Sequence, residues 1–398
     1  MSIGILSFFK QRKKHIILVV VLFSALCGCS KKDVSPSDDT VELKIGAYFD
    51  LGITPLINRY NQSQDDIHVS LVDYSKSGGE TLMHTELMSG KGCDLYVVDT
   101  HFSAFGGSNL FVDLLPYLSA DSDIQQTDFV PSLIDAILYD GALYQIPYGF
   151  GVVTFSGPDT YFDGLGITLD DVNQVMQNHT YIRPMLPNYT AKNIITQMSS
   201  FCHSLYIDMD SHSSSFNSQE FIETLRFCKS IADAETCDEE DTLLLKEYVL
   251  DPGTGPGVGR VFTGFPGSSG NGSRFIFGAA FSISAHSPNQ DAAWDFLRFC
   301  ISKEQQDLVN ETGFYLPIRK DVLSQQVEEA YQERALSEHD IQQFWTLIEQ
   351  TTNIGGNSDV QDIIIEEATI YFADRLTAEQ AAENIQSRVS ILLAELRN

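Results

Sequence analysis

The chain is short of positive charge: 25 lysines and arginines stand against 54 aspartates and glutamates, for a net charge of −29. Such a surface repels phosphate backbones and argues against nucleic acid as a partner. The acidic residues are spread along the chain, as on a solvated surface, rather than gathered into one acidic site. Proline is scarce, at 13, while 43% of the residues are apolar, so disorder is not the theme and a large core is affordable in material. With 398 residues, and ~100 to 200 per domain, two domains are expected. Cysteines are few and widely spaced. Beyond residue 29 they are Cys93, Cys202, Cys228, Cys237 and Cys300, an odd number that does not read as a disulfide framework. One bridge among Cys202, Cys228 and Cys237 stays open outside the cytoplasm.

Signatures of catalysis are missing too. MSGKG lacks the first glycine and the hydroxyl of a phosphate-binding Gly-x-x-x-x-Gly-Lys-Ser/Thr loop, and GTGPGVG does not satisfy Gly-x-Gly-x-x-Gly. GSSGN misses the Gly-x-Ser-x-Gly elbow at its last position. No His-Glu-x-x-His occurs and the nine histidines are dispersed, so neither a metal nor a cofactor is expected. A carboxylate pair for glycoside hydrolysis is far apart in sequence, and a count of acidic residues is no evidence for one. No enzyme is expected.

What is present begins with Lys10, Arg12, Lys13, Lys14 and His15, followed by the apolar run Ile16 to Phe23. That order is the charged and hydrophobic part of a secretory signal. Even extended to Cys29 the stretch falls short of the ~20 residues a spanning helix needs. Its end, Leu26-Cys27-Gly28-Cys29, resembles the bacterial lipobox. By that resemblance residues 1–28 are a signal peptide, and Cys29 is acylated and becomes the mature N-terminus. The protein is then extracytoplasmic, anchored to the cell membrane by its N-terminal lipid. Residues 29–40 are polar and aperiodic, a flexible tether.

In VELKIGAY, alternate apolar residues mark a strand. A helix (LGITPLINRYNQSQ), a strand (IHVSLVDY), a helix (GETLMHTELMSG) and a buried strand (Cys93 to Thr100) follow. Strands alternating with helices imply an α/β lobe with a mostly parallel sheet. A helix is expected from Pro131 to Leu138, and Asp140-Gly141 is a hairpin turn signal. Residues 165 to 250 read as mainly helical. DPGTGPGVGR breaks them, RVFTGFP and RFIFGAAFSIS are strand-like, NQDAAWDFLRFCISKEQQDLV is an amphipathic helix, and residues 340 to 396 are helical again.

The order of these landmarks resembles the extracellular solute-binding proteins of ABC importers, in the branch of maltose- and oligosaccharide-binding proteins. SGKGCDLYVVD, FVDLLPYLSAD, YDGALYQIPYG, AFSISAHSPNQDAAWDFLRFCISKEQQ and LTAEQAAENIQSRVSILLAEL carry the likeness. It implies a two-lobed, periplasmic-binding-protein-like α/β fold with a ligand cleft between lobes joined by hinge crossings. By analogy the first lobe takes 41–150 plus 264–330, and the second 151–263 plus 331–398. One departure stands out: the helix after TYFDGLGI often carries a tryptophan in the family, and TLDDVNQ has none.

In open α/β sheets, ligands bind outside the carboxyl ends of the strands. Those ends supply Tyr48 and Asp50, then Tyr74, then Asp99 with Phe102. The crossings supply Tyr148 and Phe150, then Phe265 and the run GSSGNG, with Ser269 and Asn271. Trp345 matches a family position where an aromatic residue faces the cleft. A sugar needs flat aromatic platforms and carboxylate or amide acceptors: Tyr48, Tyr148 and Trp345 suit the first role, and Asp50, Asp99 and Asn271 the second. Each has a plainer alternative. Tyr48 and Tyr148 also suit strand-end packing, Asp99 a helix cap, GSSGNG a surface turn, and Trp345 a core position beside Ile341, Leu347 and Ile348. Trp294 reads as packing. The resemblance implies a monomer that captures a small solute, a carbohydrate, and delivers it to ABC permease subunits in the membrane. A polyamine, a peptide, an anchored hydrolase or a sensor are the alternatives.

Overall fold

The computed structural model describes residues 40–48, 52–98, 110–179, 183–185, 190–208, 211, 213–233, 243–253, 255–267, 271–309, 315–334, 336–354 and 358–396. All of them belong to one compact unit, Thr40–Asn398. Strand β1 (Val41–Ala47) buries Leu43, Ile45 and Ala47 on one face, as the alternation predicts. It pairs in parallel with β2 (Ile67–Asp73) and β3 (Leu95–Val98), and helices 53–63 and 79–88 make the connections. The later strands are β4 (Ile146–Pro147), β5 (Gly149–Pro158), β6 (Arg183–Met185), β7 (Ile207–Asp208), β8 (Ser213–Ser214), β9 (Leu243–Val249), β10 (Arg260–Phe262), β11 (Arg274–Phe277), β12 (Ala280–Ile283), β13 (Leu316–Pro317) and β14 (Asn353–Ile354).

Two larger sheets result. The first runs β2-β1-β3-β12-β4, with β12 antiparallel to both of its neighbours. The second runs β14-β11-β5-β9-β6, and β10 and β13 also pair with β5. On β5, Phe150 and Val152 share a face with Phe275 and Phe277 of β11 and join the core of the first sheet. Val153 and Phe155 point the other way, into a separate core closed by helices 191–206, 219–233, 358–372 and 378–396. A smaller cluster of Tyr74, Met83, Leu87, Cys93, Tyr96, Leu110 and Phe111 covers the remaining face of the first sheet.

Local signals behave as their chemistry dictates. Asp140 and Gly141 both take positive φ, 50° and 76°, and Tyr139 and Ala142 exchange two 3.0 Å backbone hydrogen bonds across them. Helix 338–350 starts in a capping box: Ser337 Oγ accepts from the Asp340 N–H at 3.1 Å, and the Asp340 carboxylate accepts from the Ser337 N–H at 2.9 Å. Helix 131–137 matches its expected bounds within one residue. Trp294 is packing, with its ring 5.2 Å from that of Tyr117.

Three expectations need correction. Residues 165–250 are not simply helical, because Leu243–Val249 is a strand between β5 and β6. RFIFGAAFSIS is two strands in different sheets, β11 and β12, so the chain crosses at Gly278 and Ala279 and not near residue 264. Phe265 accordingly lies in the second core, and Phe344, Leu347 and Ile348 of helix 338–350 lie in the first, which carries that helix across the expected boundary at 331. A hydrophobic run has no mark that says which of two sheets it will join.

Candidate functional site

At the first crossing, between β4 and β5, stands Tyr148. Its carbonyl accepts from Gln306 Nε2 at 2.8 Å, and its hydroxyl donates to the Gln305 carbonyl at 3.0 Å. Arg59 Nη2 donates to the same hydroxyl at 3.4 Å, and Arg59 Nε donates to Gln305 Oε1 at 2.8 Å. Gln306 is fully buried, and its Oε1 takes the Ile318 N–H at 2.8 Å, so one side chain ties the crossing strand to the turn before helix 320–334. Tyr148 is buried in this arrangement, with its hydroxyl engaged, and Phe150 is 0% exposed against Phe275 at 5.7 Å. Both are packed residues here, because a crossing strand is covered on both faces.

The second expected aromatic and amide group is also built into the structure. The Phe265 ring stacks on Phe201 at 4.9 Å and 10° inside the second core. Asn271 Oδ1 accepts the Ser273 N–H at 2.9 Å, its Nδ2 donates to Thr351 Oγ1 at 3.4 Å, and Ser273 Oγ meets Thr154 Oγ1 at 2.8 Å. Asn271 thus braces the start of β11 against the loop that leads to β14. Beside it Arg274 lies over the Phe201 ring at 5.2 Å; burial pushes its pKa down and Glu247 opposes that.

At the carboxyl ends of the first sheet, Tyr48 is half-buried against the smaller cluster. Tyr74 is buried within it, and its hydroxyl donates to the Glu86 carboxylate. Burial, then that bond, raises the Tyr74 pKa. Cys93 lies 3.8 Å from the same hydroxyl, and its thiol is pushed up to about 11, chiefly by burial. Asp50, Asp99, Phe102, Ser269 and Cys29 lie outside the described residues.

Trp345, another expected site residue, lines a cavity. The space, about 240 Å³, lies between helices 131–137 and 338–350 and is walled by Ser132, Asp135, Lys320, Trp345, Ile348 and Glu349. Trp345 is half-buried, edge-on to Phe344 at 5.4 Å, while Phe344 fills the core. An aromatic face beside two carboxylates, an ammonium and a hydroxyl is a setting for a hydroxyl-bearing or cationic solute. Asp135, Lys320 and Glu349 were not anticipated. They sit on three separate stretches of chain, and no spacing in the sequence links them. Cys202 and Cys228 are buried and free, so neither forms the bridge left open above; Cys237 lies outside the described residues.

Residues 210–335 match the family model for bacterial extracellular solute-binding proteins. No curated protein sequence matches the chain. Solved structures do. An ABC substrate-binding protein of Listeria monocytogenes in complex with cycloalternan is 14% identical, with a TM-score of 0.63 over 89% of this chain and 100% of its own. A sugar-binding protein of Xanthomonas citri is 15% identical, with a TM-score of 0.61 over 90% and 98%. An ABC transporter solute-binding protein of Thermotoga lettingae, bound to α-D-tagatose, is 17% identical, with a TM-score of 0.59 over 89% and 100%. With its two sheets, its crossing strands and its likeness to these structures, the chain has the fold of solute-binding proteins of ABC transporters, and residues 210–335 are similar to a bacterial extracellular family of them.

Proposed function

We propose that this protein is the membrane-anchored, solute-capturing component of an ABC importer, and that its solute is a sugar or oligosaccharide. The observation that carries the reading is architectural. Two sheets, of which the second turns one face to the first sheet's core and the other to a core of its own, are joined by single-residue or two-residue crossings at Tyr148 and at Gly278 with Ala279, and short crossings of this kind allow hinge closure over a solute. The bound sugars of the structural relatives support the choice of solute, as does an aromatic ring set among carboxylates at Trp345.

Capture works by differential affinity: a solute that contacts both lobes favours the closed form by its extra binding energy there. The closed, monomeric form then docks on permease subunits, and no residue of this chain makes or breaks a bond. Cys29 holds the lipid and residues 30–40 the slack. A cationic solute such as a polyamine is the second reading, favoured by the net charge of −29 and by Asp135 and Glu349 in one cavity.

Thermal unfolding of residues 33–398 against mono- and oligosaccharides, amino acids, peptides and polyamines tests both readings. A solute at 100 times its dissociation constant adds about 2.7 kcal/mol of stability, enough to move the midpoint by several degrees. Stabilisation by saccharides alone supports the first reading, and by amines alone the second. No stabilisation by any class counts against capture.

A further inference from the structure

Four residues in register form one row across the second sheet: Val249 of β9, Val153 of β5, Arg274 of β11 and Asn353 of β14. Cross-strand partners share a face, and for this row it is the face of the second core, to which Val153 belongs. Helix 191–206 covers that face only in part. Its Gln197 donates to both carboxylate oxygens of Glu247, at 3.0 and 3.3 Å, and its Phe201 ring lies against the Arg274 guanidinium. On the other side of the row, toward the crossing at Gly278, the pair Gly151 and Ile276 comes next on the same face. Gly151 adds no side chain there, Ile276 is half-buried, and Val249 keeps 47% exposure. An open apolar shelf thus borders a charged group.

Arg274 is half-buried, yet among the described residues it makes no hydrogen bond and no ion pair. Its Nε is sealed from solvent without a partner. Nη1 and Nη2, also without one, are the accessible edge of the fork. Glu247 opposes the fall in pKa that burial causes, but it does not pair with the guanidinium. Withdrawing such a cation from water without a partner is costly, and an anion at the accessible edge offsets that cost.

We infer that Arg274 anchors a binding site for a small carboxylate-bearing molecule, held end-on by Nη1 and Nη2. With Nε sealed, the side-on approach is closed, and the two N–H groups at the end of a planar fork match the two oxygens of a carboxylate. The carbon skeleton lies over Gly151, against Ile276 and Val249. Asn353 Nδ2 is committed to the Ser273 carbonyl at 3.4 Å, which leaves Oδ1 to accept from a hydroxyl next to the carboxylate. A hydroxy acid or an acidic sugar carries both groups. The site shares no residue with the Trp345 cavity and does not depend on the importer reading.

The test titrates the full chain, labelled with carbon-13 and nitrogen-15, with sodium D-glucuronate, sodium D-lactate and sodium phosphate at constant ionic strength. The Arg274 Cζ and Nη signals should shift saturably with at least one of the two carboxylates, and more weakly with phosphate. Arg274→Lys keeps the charge and loses the fork, so calorimetric affinity for that carboxylate should fall about tenfold. Val249→Glu changes an exposed side chain and sets a competing carboxylate on the same face, so it too should weaken binding while the thermal midpoint holds. That variant decides the matter if Arg274→Lys loses its thermal transition. Unmoved Arg274 signals with both carboxylates, tighter binding of phosphate than of either, or full affinity in a folded variant would each overturn the inference.

Discussion

Gln306 Nε2 donates to the Tyr148 carbonyl at 2.8 Å, and through this bond a fully buried amide holds the first strand crossing. The same nitrogen donates to the Cys300 carbonyl at 3.2 Å, and Oε1 takes the Ile318 N–H. Gln306→Leu keeps the approximate volume and removes a hydrogen bond from each of these three backbone groups, the Ile318 N–H above all. Each stranded group costs about 1–3 kcal/mol. Urea unfolding should therefore show a loss of at least that for one group; an unchanged midpoint would mean that the amide is not what holds the crossing.

Trp345→Ala should weaken capture of the solute identified by the thermal panel, by about fivefold or more, since aromatic platforms carry ~1 kcal/mol or more of a contact. The unfolding midpoint should change little, because the ring is half-buried while its neighbour Phe344 fills the core. Calorimetry and thermal unfolding on the same variant separate the two effects. A large loss of stability with unchanged affinity would make Trp345 a packing residue.

Alkaline pH should destabilise the protein through Cys93. Its thiol titrates near 9.0 when free and near 11 in the fold, chiefly because burial disfavours the thiolate. The folded pKa is the higher one, so the contribution is complete below about 9 and is lost as pH rises toward 11. Urea midpoints measured across that window should fall less steeply in Cys93→Ala than in the unaltered protein. Equal slopes would exclude Cys93 as a source.

Cys29→Ser should release the protein from membranes into the soluble fraction, with its thermal midpoint unchanged. Retention in the membrane pellet would assign the anchoring to another part of the chain.

Much of the fold was legible from periodicity. β1, β2 and the helices between β1 and β3 follow the apolar spacing, and Asp140-Gly141 makes the turn its two residues favour. The site was less so. Tyr148, Phe150, Phe265 and Tyr74 were candidate contacts by position and are packed in the structure, because a strand-end aromatic can point to core or cleft and its neighbours in sequence do not say which. Trp345 does reach a cavity, but Asp135, Lys320 and Glu349 beside it come from distant segments.

By itself the sequence determined the local elements, the acidic surface and the order of landmarks that marks the fold, since these depend on residue type and short-range spacing. Only the tertiary structure decided that β11 and β12, separated by two residues, join different sheets, and that Trp345 of helix 338–350 meets Asp135 and Lys320 at one cavity. Those outcomes depend on which distant segments pack together, and hydrophobic pattern alone does not encode the choice of partner.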